Sequence, residues 1–497
     1  MTLTSGEPEL PDAPAEPWPR AAHLIGVAGA GMQSLAALLL ERGCRVSGSD
    51  LNRPPEELVA RGLTFTLGHA AEHVPPEADM VIYSAAVVEN NVERKQAARR
   101  GIPQVSYPEM LGRISAATPT LAVAGTHGKS TTCAMLVEIY RAAGLDPSHL
   151  YGATPIVPSA GQATSVSSTR EHGLPGNGRA MFGGHAGRDA LLIAEACEFR
   201  RHFWQLSPRA AAILAVEPDH FDCYPTPRDL LAGFAEFAAR VPSDGVLAYW
   251  ADDAHACQVV AAAACRRKVG FGLGSGCTWR AAALRQEEAC YAFTLLRDGE
   301  PWAEIRLAVP GRHQVINALA AATLAAEQGL PPEAIAGGLA GFAGLRRRME
   351  IVGQVGGAVV IDDYAHHPTE LAAALETVRA MFGDRRLTLI FQPHQASRTA
   401  RLLDELAGCL HNADRAYICD VYRAREGPPQ PGEASAADLA RVAQAAGACA
   451  QTIAVTQLPQ LAQTLTADDV VLAAGAGDLG KWIDELVRRF GSRCQNQ

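Results

Sequence analysis

Ala124-Gly125-Thr126-His127-Gly128-Lys129-Ser130-Thr131 lies between an apolar run, Thr120-Leu121-Ala122-Val123, and a helix-like pattern, Thr132-Cys133-Ala134-Met135-Leu136-Val137-Glu138. Strand, glycine loop, lysine, hydroxyl and helix is the order that cradles a nucleoside triphosphate. The glycines let backbone N–H groups turn toward phosphate oxygens. Lys129 reaches the β- and γ-phosphates, and the Ser130 hydroxyl can hold Mg2+. A full phosphate loop reads GxxxxGK[ST], and its first glycine would fall at Val123. The loop is therefore a shortened variant. A plain glycine turn with a surface lysine would leave Gly-Lys-Ser-Thr between strand and helix unexplained.

Around this loop the chain has 497 residues, which favours about three domains. Charged residues make up 20% and hydrophobic ones 48%, so a sizeable core is available. A net charge of −9 and the lack of a basic run argue against a nucleic-acid surface. The cluster Arg346-Arg347-Arg348 reads as an anion contact or a solvated loop. Twelve cysteines without a CxxC pair argue against a zinc ribbon or a dithiol redox motif. Residues 1–19, rich in Pro and Glu, read as a disordered leader without a secretory core. No apolar stretch reaches the roughly 18 residues a membrane span needs. Free thiols without an export signal predict a cytoplasmic protein.

From His23 onward short apolar runs alternate with helical patterns, as in α/β sheets. The first unit is predicted to hold strands at 23–27, 45–50 and 80–84, with a helix over 32–42. The second starts at the phosphate loop, has strands at 190–194 and 211–216, and has a helix over 315–327. Between these, residues 157–188 are rich in Gly, Ser, Pro and Thr and read as a long loop. A third unit from about residue 344 shows strands at 358–362, 387–391, 417–421, 452–455 and 470–473. Helical segments separate them, as in a small doubly wound sheet.

Chemistry-bearing residues gather at strand ends. Gly26-Val27-Ala28-Gly29-Ala30-Gly31 approximates a dinucleotide fingerprint with Ala28 at the second glycine, and Asp50 follows about 20 residues on. Three readings stay open for it: a dinucleotide site, a plain βα turn, or a nucleotide-sugar diphosphate on the helix N-terminus. Glu195, in Ile193-Ala194-Glu195-Ala196-Cys197-Glu198, ends a strand downstream of the phosphate loop, where a carboxylate commonly meets Mg2+, with Glu198 as competitor. Glu217-Pro218-Asp219-His220-Phe221-Asp222 follows the next strand. His220 alone reads as a structural histidine, but its place beyond Glu195 suits a second metal position. Asp362-Asp363-Tyr364-Ala365-His366-His367-Pro368 again follows a strand, and its adjacent histidines diverge, which disfavours a joint metal site. Gln392-Pro393-His394, Asp420-Val421-Tyr422 and Gly475-Ala476-Gly477-Asp478 repeat the position, which points to a ligand-facing edge.

Together these pieces resemble the Mur ligases, the ATP-dependent amino-acid ligases of peptidoglycan synthesis. The shortened loop of residues 125–131 is the family's own form. Further marks are Gly29-Ala30-Gly31-Met32, Tyr83-Ser84-Ala85-Ala86, Gly311-Arg312-His313 with Asn317, residues 362–370, and Phe391-Gln392-Pro393-His394. The resemblance spans about His23 to Lys481. It implies an α/β chain of three domains: a Rossmann-like N-terminal domain (20–117), a central P-loop ATPase (118–343) and a Rossmann-like C-terminal domain (344–497). It implies an enzyme that uses ATP and Mg2+ to join L-alanine to the lactyl carboxylate of UDP-N-acetylmuramate, as a monomer or homodimer. The alternatives are a relative that adds a recycled peptide or another amino acid, and a nucleotide-binding pseudoenzyme.

The resemblance also assigns roles. Gly125, Thr126, His127, Gly128, Lys129, Ser130 and Thr131 would bind ATP, with His313 and Asn317 near adenine and Arg348 and Asp363 reaching the nucleotide after closure. Ser130, Glu195 and His220 would serve the metal. Lys129, Glu195, His220 and His366 would be catalytic. Gly29, Ala30, Gly31, Met32, Asp50 and Ser84 would hold the UDP-sugar, and Tyr364, His366 and Arg398 the alanine. A dehydrogenase would leave the second nucleotide loop and the third sheet without a role.

Overall fold

The computed structural model describes residues 18–157, 182–424 and 426–493. Residues 1–17 of the expected leader and 158–181 of the expected long loop lie outside the described residues. The described chain forms three sheets, one per unit.

In the first unit five parallel strands run in the order Thr64–Leu67, Arg45–Asp50, Ala21–Ile25, Met80–Tyr83, Gln104–Ser106. The central strand Ala21–Ile25 is wholly buried, as its apolar run dictates. It ends two residues earlier than its hydrophobicity suggests because Gly26 takes φ 85°, a left-handed conformation that breaks the ladder. A Cβ there would also sit 2.9 Å from that of Ser84.

The second unit is a ten-stranded sheet with a parallel centre: Arg267–Gly272, Val246–Trp250, Ala210–Ile213, Thr120–Ala124, Asp189–Ala196, Pro147–Leu150. The alanine-rich helix His313–Glu327 and the helix Lys129–Ala142 bury Leu319, Ala320, Met135 and Leu136 against it. At one edge an antiparallel meander, Trp279–Glu287, Cys290–Arg297 and Glu300–Arg306, extends the sheet. Register sets the site: Ala124 pairs with both Ala196 and Ile213. The loops after these three strands therefore emerge side by side. The strand expected over 211–216 stops at Ile213 because the following backbone turns to the phosphate loop, with Leu214 N–H donating to Ala124 O and Thr126 N–H to Ala215 O.

The third unit pairs Ala450–Thr452, Arg415–Ile418, Arg386–Phe391, Asp469–Ala474 and Ala358–Asp363 in parallel, then adds Glu350–Val355 and Gly491–Arg493 antiparallel. Ala474 pairs with both Asp363 and Phe391, which again aligns three strand-end loops. Strands expected over 417–421 and 452–455 lie earlier, at Arg415–Ile418 and Ala450–Thr452. Beyond Ile418, the Cys419 N–H still bonds Phe391 O, but the chain then leaves toward Tyr422.

The units are bolted together by polar contacts. Ser34 donates to Tyr151 O at 2.8 Å, and His185 bridges Glu41 at 2.7 Å and Asp146 at 2.9 Å. No helix among the described residues is long and apolar enough to cross a membrane.

Candidate active site

The phosphate loop owes its shape to two glycines. Gly125 has φ 143° and Gly128 φ 79°. A Cβ on Gly125 would lie 2.6 Å from that of Leu214, and one on Gly128 would lie 2.1 Å from Asn317 Oδ1. The loop is pinned from the neighbouring strand: Thr126 Oγ1 donates to Glu217 O at 3.1 Å and Glu217 N–H donates to Thr126 Oγ1 at 2.9 Å. The helix Lys129–Ala142 then begins with no side-chain cap, which leaves its first amides and positive dipole end to an anion.

Two carboxylates face the loop from the strand-end segment 195–198. Ser130 Oγ donates to Glu195 Oε2 at 2.6 Å, and Gly152 N–H donates to the same oxygen at 2.9 Å. Lys129 Nζ lies 2.9 Å from Glu198 Oε2 and donates to Gly125 O and Thr126 O at 2.7 and 3.1 Å. Burial opposes charge on both partners, but their mutual attraction prevails: Lys129 is held well above its usual pKa and Glu198 below its own. His220 Nε2 stands 3.5 Å from Glu198 Oε1, on backbone with φ 50°. Arg200 and Arg201 share that left-handed region. Three such non-glycine residues at one site mark stored backbone strain, a feature of functional loops. Cys197, between the two glutamates, adds no charge: burial, then the Glu198 charge, pushes its thiol up to about 12.

The third unit closes over this edge through its own strand ends. Arg398 donates to Asp219 Oδ1 from Nε at 2.8 Å and lies 2.7 Å away through Nη2, both partners being buried. Burial raises the Asp219 pKa, but the charges of His220 and Arg398 outweigh it and hold the carboxyl far below its usual range. His127 Nδ1 donates to Glu370 Oε1 at 3.0 Å, and Thr369 Oγ1 donates to Glu217 Oε2 at 2.6 Å. His366 is half-buried in the same junction. Desolvation lowers its pKa to about 4, so it is a neutral imidazole near pH 7. Its Nδ1 donates to Tyr364 O at 3.0 Å. Beside Thr131, Pro310, Gln314, Phe342, Leu345 and Arg348 line a small cavity between the second and third units.

On the first unit's side, Asp50 holds its own glycine turn. Its Oδ2 accepts from Ala28 N–H at 2.9 Å and its Oδ1 from Asn52 N–H at 2.9 Å. Gly31, in the first turn of helix Ala30–Glu41, faces the Tyr107 ring, which a Cβ would approach to 3.1 Å. Burial, then the charge of Glu195, raises the Tyr107 pKa. Arg200 adds a link, Nη1 donating to Ala85 O at 3.3 Å.

Comparisons with known proteins agree with this arrangement. The Mur ligase family catalytic domain matches residues 21–118, the Mur ligase middle domain 123–325, and the Mur ligase glutamate ligase domain 347–477. A UDP-N-acetylmuramate–L-alanine ligase of Salinibacter ruber is 38% identical over 485 residues, 96% of this chain and 97% of that one. A protein of the same name from Chlorobaculum parvum is 36% identical over 96% of this chain and 97% of its own. The chain belongs to the Mur ligase family. The structure of UDP-N-acetylmuramate-alanine ligase MurC from Thermotoga maritima superimposes with a TM-score of 0.76 at 23% identity, covering 95% of this chain and 99% of that one. A murein peptide ligase from Psychrobacter arcticus gives 0.70 at 25% over the same shares.

In this Mur ligase the residues singled out from sequence do not form one cluster. Ser130 meets Glu195, whereas His220 meets Glu198 and Asp219, so the three expected metal residues fall into two neighbouring groups. His313 and Asn317 are joined through Gln314, whose Nε2 donates to His313 Nε2 and whose Oε1 accepts from Asn317 Nδ2, both at 3.0 Å. Asp363 is buried and accepts from Met349 and Ala365 N–H at 2.7 and 2.8 Å, so its carboxylate is engaged by its own unit. Arg348 stacks over Tyr364 at 5.0 Å. Ser84 supports the first turn, its amide donating to Ile25 O at 2.9 Å. Met32 is buried in that unit's core. Tyr107 was not singled out in sequence. Only its place just after the capping serine of helix Tyr107–Ala117 marks it.

Proposed function

We propose that the chain is an ATP-dependent ligase that joins L-alanine to the lactyl carboxylate of UDP-N-acetylmuramate in peptidoglycan precursor synthesis. The carrying observation is the pairing of Lys129 with Glu198 and of Ser130 with Glu195 at the mouth of an uncapped glycine loop. The relatives' names supply the substrate pair.

The reaction must bring a carboxylate to a triphosphate, anion against anion. A carboxylate oxygen attacks the γ-phosphorus and ADP leaves, giving an acyl phosphate. The alanine amine then attacks the carbonyl, and phosphate departs as the amide forms. Lys129 and the loop amides offset the repulsion in the first step. The Ser130 hydroxyl and Glu195 carboxylate are a hard oxygen pair, which suits Mg2+; bound there, the ion supplies further charge neutralisation. His220 and Glu198 position the lysine end. His366 is the candidate to take the proton that alanine must lose before attack, a role that requires the anionic charge of the bound substrates to raise its burial-lowered pKa. Arg398, locked to Asp219, acts by fixing the third unit over the loop. Closure excludes water that would hydrolyse the acyl phosphate.

The uncapped turn at Gly29, Ala30 and Gly31 is read as the diphosphate seat of the UDP-sugar, and the cavity beside Arg348 as the base end of ATP. The protein is read as cytoplasmic. ADP release with UDP-N-acetylmuramate and a panel of L-alanine, glycine, L-serine and a cell-wall tripeptide tests the assignment. Alanine should give the highest kcat/KM; a tripeptide winning by tenfold or more would move the chain to a recycling ligase.

A further inference from the structure

Three ligand atoms at the junction of the second and third units converge without a role in the chemistry above. His127 comes from the phosphate loop, Glu217 from the loop after the strand Ala210–Ile213, and His367 from the N-cap of the helix Pro368–Phe382. Their ligand atoms all lie within 4.8 Å of one another. Glu217 Oε2 is 3.5 Å from His127 Nε2 and 3.7 Å from His367 Nδ1. Ligands about 2.1 Å from a tetrahedral zinc ion stand about 3.4 Å apart, close to these separations.

The surroundings match what a metal-binding histidine requires. A ligating imidazole donates its other N–H to a carboxylate or carbonyl, which fixes the tautomer and aims the lone pair. His127 Nδ1 donates to Glu370 Oε1 at 3.0 Å, and His367 Nε2 donates to Pro218 O at 3.3 Å. The other two nitrogens, His127 Nε2 and His367 Nδ1, face Glu217; His367 Nδ1 also accepts a long bond from Thr369 N–H at 3.4 Å, which a bound ion would replace. His127 Nε2 is buried and has no hydrogen-bond partner. The Glu217 carboxylate is itself oriented by Thr369 Oγ1 at 2.6 Å. Glu370 is fixed in turn by the amides of His366 and His367 at 3.1 and 3.4 Å.

The geometry points to a divalent transition-metal site of the zinc class, formed by His127, Glu217 and His367 and separate from the Ser130–Glu195 pair. Two imidazoles and one carboxylate select a borderline ion such as Zn2+ over Mg2+. Two ligands come from the phosphate-loop unit and one from the closing unit, so an occupied site ties the two together and slows their opening. The metal site does not rest on the ligase reading.

The test titrates the full chain with Zn2+ in excess Mg2+, with Co2+ absorption as reporter of ligand type. One Zn2+ per chain is expected, with a Co2+ spectrum free of thiolate charge-transfer bands. His127→Gln and His367→Gln should each weaken binding at least tenfold. Glu370→Gln, which removes the charge from the acceptor behind His127 and weakens the capping box that holds His367, should weaken it about tenfold. Binding unchanged in both histidine variants, or a thiolate-dominated spectrum, overturns the site. Should a variant fail to fold, histidine modification of the wild-type chain read by mass spectrometry decides. Zn2+ must shield His127 and His367; equal modification with and without Zn2+ overturns the proposal.

Discussion

The glycine turns at residues 26–31 and 125–131 share one backbone device and differ in the charges set around it. Each follows a buried parallel strand and opens a helix with no side-chain cap. At the first turn an acid is spent inside the turn: Asp50 takes the Ala28 amide, and no lysine stands at the helix start. At the second, Lys129 begins the helix, and Glu195 and Glu198 face it from the next strand's end. The first turn suits a diphosphate held by amides and dipole alone. The second suits a triphosphate whose charge must be offset while it reacts. The second is braced by the third unit, through His127–Glu370 and Arg398–Asp219, whereas the helix after the first is tied to the second unit through Ser34 and Tyr151 O.

Removing the charge from the second turn should break the contrast most. Lys129→Ala is expected to cut ligation about 10³-fold, with circular dichroism unchanged because His220 still faces Glu198. Near-normal phosphate release with both substrates present would sink the role given to Lys129. Backbone strain should separate the turns next. Gly128→Ala meets Asn317 at φ 79° and should cost about 1–3 kcal/mol in denaturant unfolding. Gly31→Ala meets only the edge of Tyr107 and should cost less than about 1 kcal/mol. Equal costs would remove the distinction. Asp50→Ala frees the Ala28 amide and should raise the UDP-sugar KM about tenfold, some 1.4 kcal/mol, while kcat holds. An effect confined to kcat would show that the turn is not a ground-state binding device.

The smallest expected effect is a pH dependence that only the second turn can have. Burial lowers the His127 pKa, but Glu370 and Glu217 more than compensate and raise it from 6.5 to about 9. A histidine whose folded pKa is raised stabilises fully below 6.5 and loses that contribution as pH climbs through about 9. The junction should therefore loosen between those values, seen as faster proteolysis between the second and third units. His367, facing the same cluster, is lowered by burial and adds no proton there. Glu217, which burial raises but His127 and Thr369 bring down to about 2, stays ionised throughout. His127→Gln should flatten the profile; an unchanged profile would assign it elsewhere.

Most of the three-unit architecture is legible in the chain because its central strands are continuous apolar runs, such as 120–124 and 470–473, which only a doubly covered parallel sheet buries. The meander Trp279–Glu287, Cys290–Arg297 and Glu300–Arg306 escapes detection because it lies at an edge, half exposed, with Arg285, Gln286 and Glu287 breaking any alternation. Within the site, spacing alone exposes the loop and its strand-end acids. It cannot show that Glu198 rather than Glu195 meets Lys129, since both side chains belong to one short segment and burial decides between them. The pairs across the junction are hidden for a simpler reason: Asp219 and Arg398 lie 179 positions apart, and His127 and Glu370 lie 243 apart. Capping signals carry part of that information. The His367–Glu370 capping box at the start of Pro368–Phe382 places the residues that meet His127.

The central claim is that the second turn delivers a γ-phosphoryl group to a carboxylate presented from the first. Its most direct test uses UDP-N-acetylmuramate carrying 18O in both carboxylate oxygens, with ATP and L-alanine. Acyl phosphate formation requires one labelled oxygen per turnover to leave in inorganic phosphate and one to remain in the amide. Phosphate free of label, with the lost oxygen recovered in water or in AMP, would contradict the account.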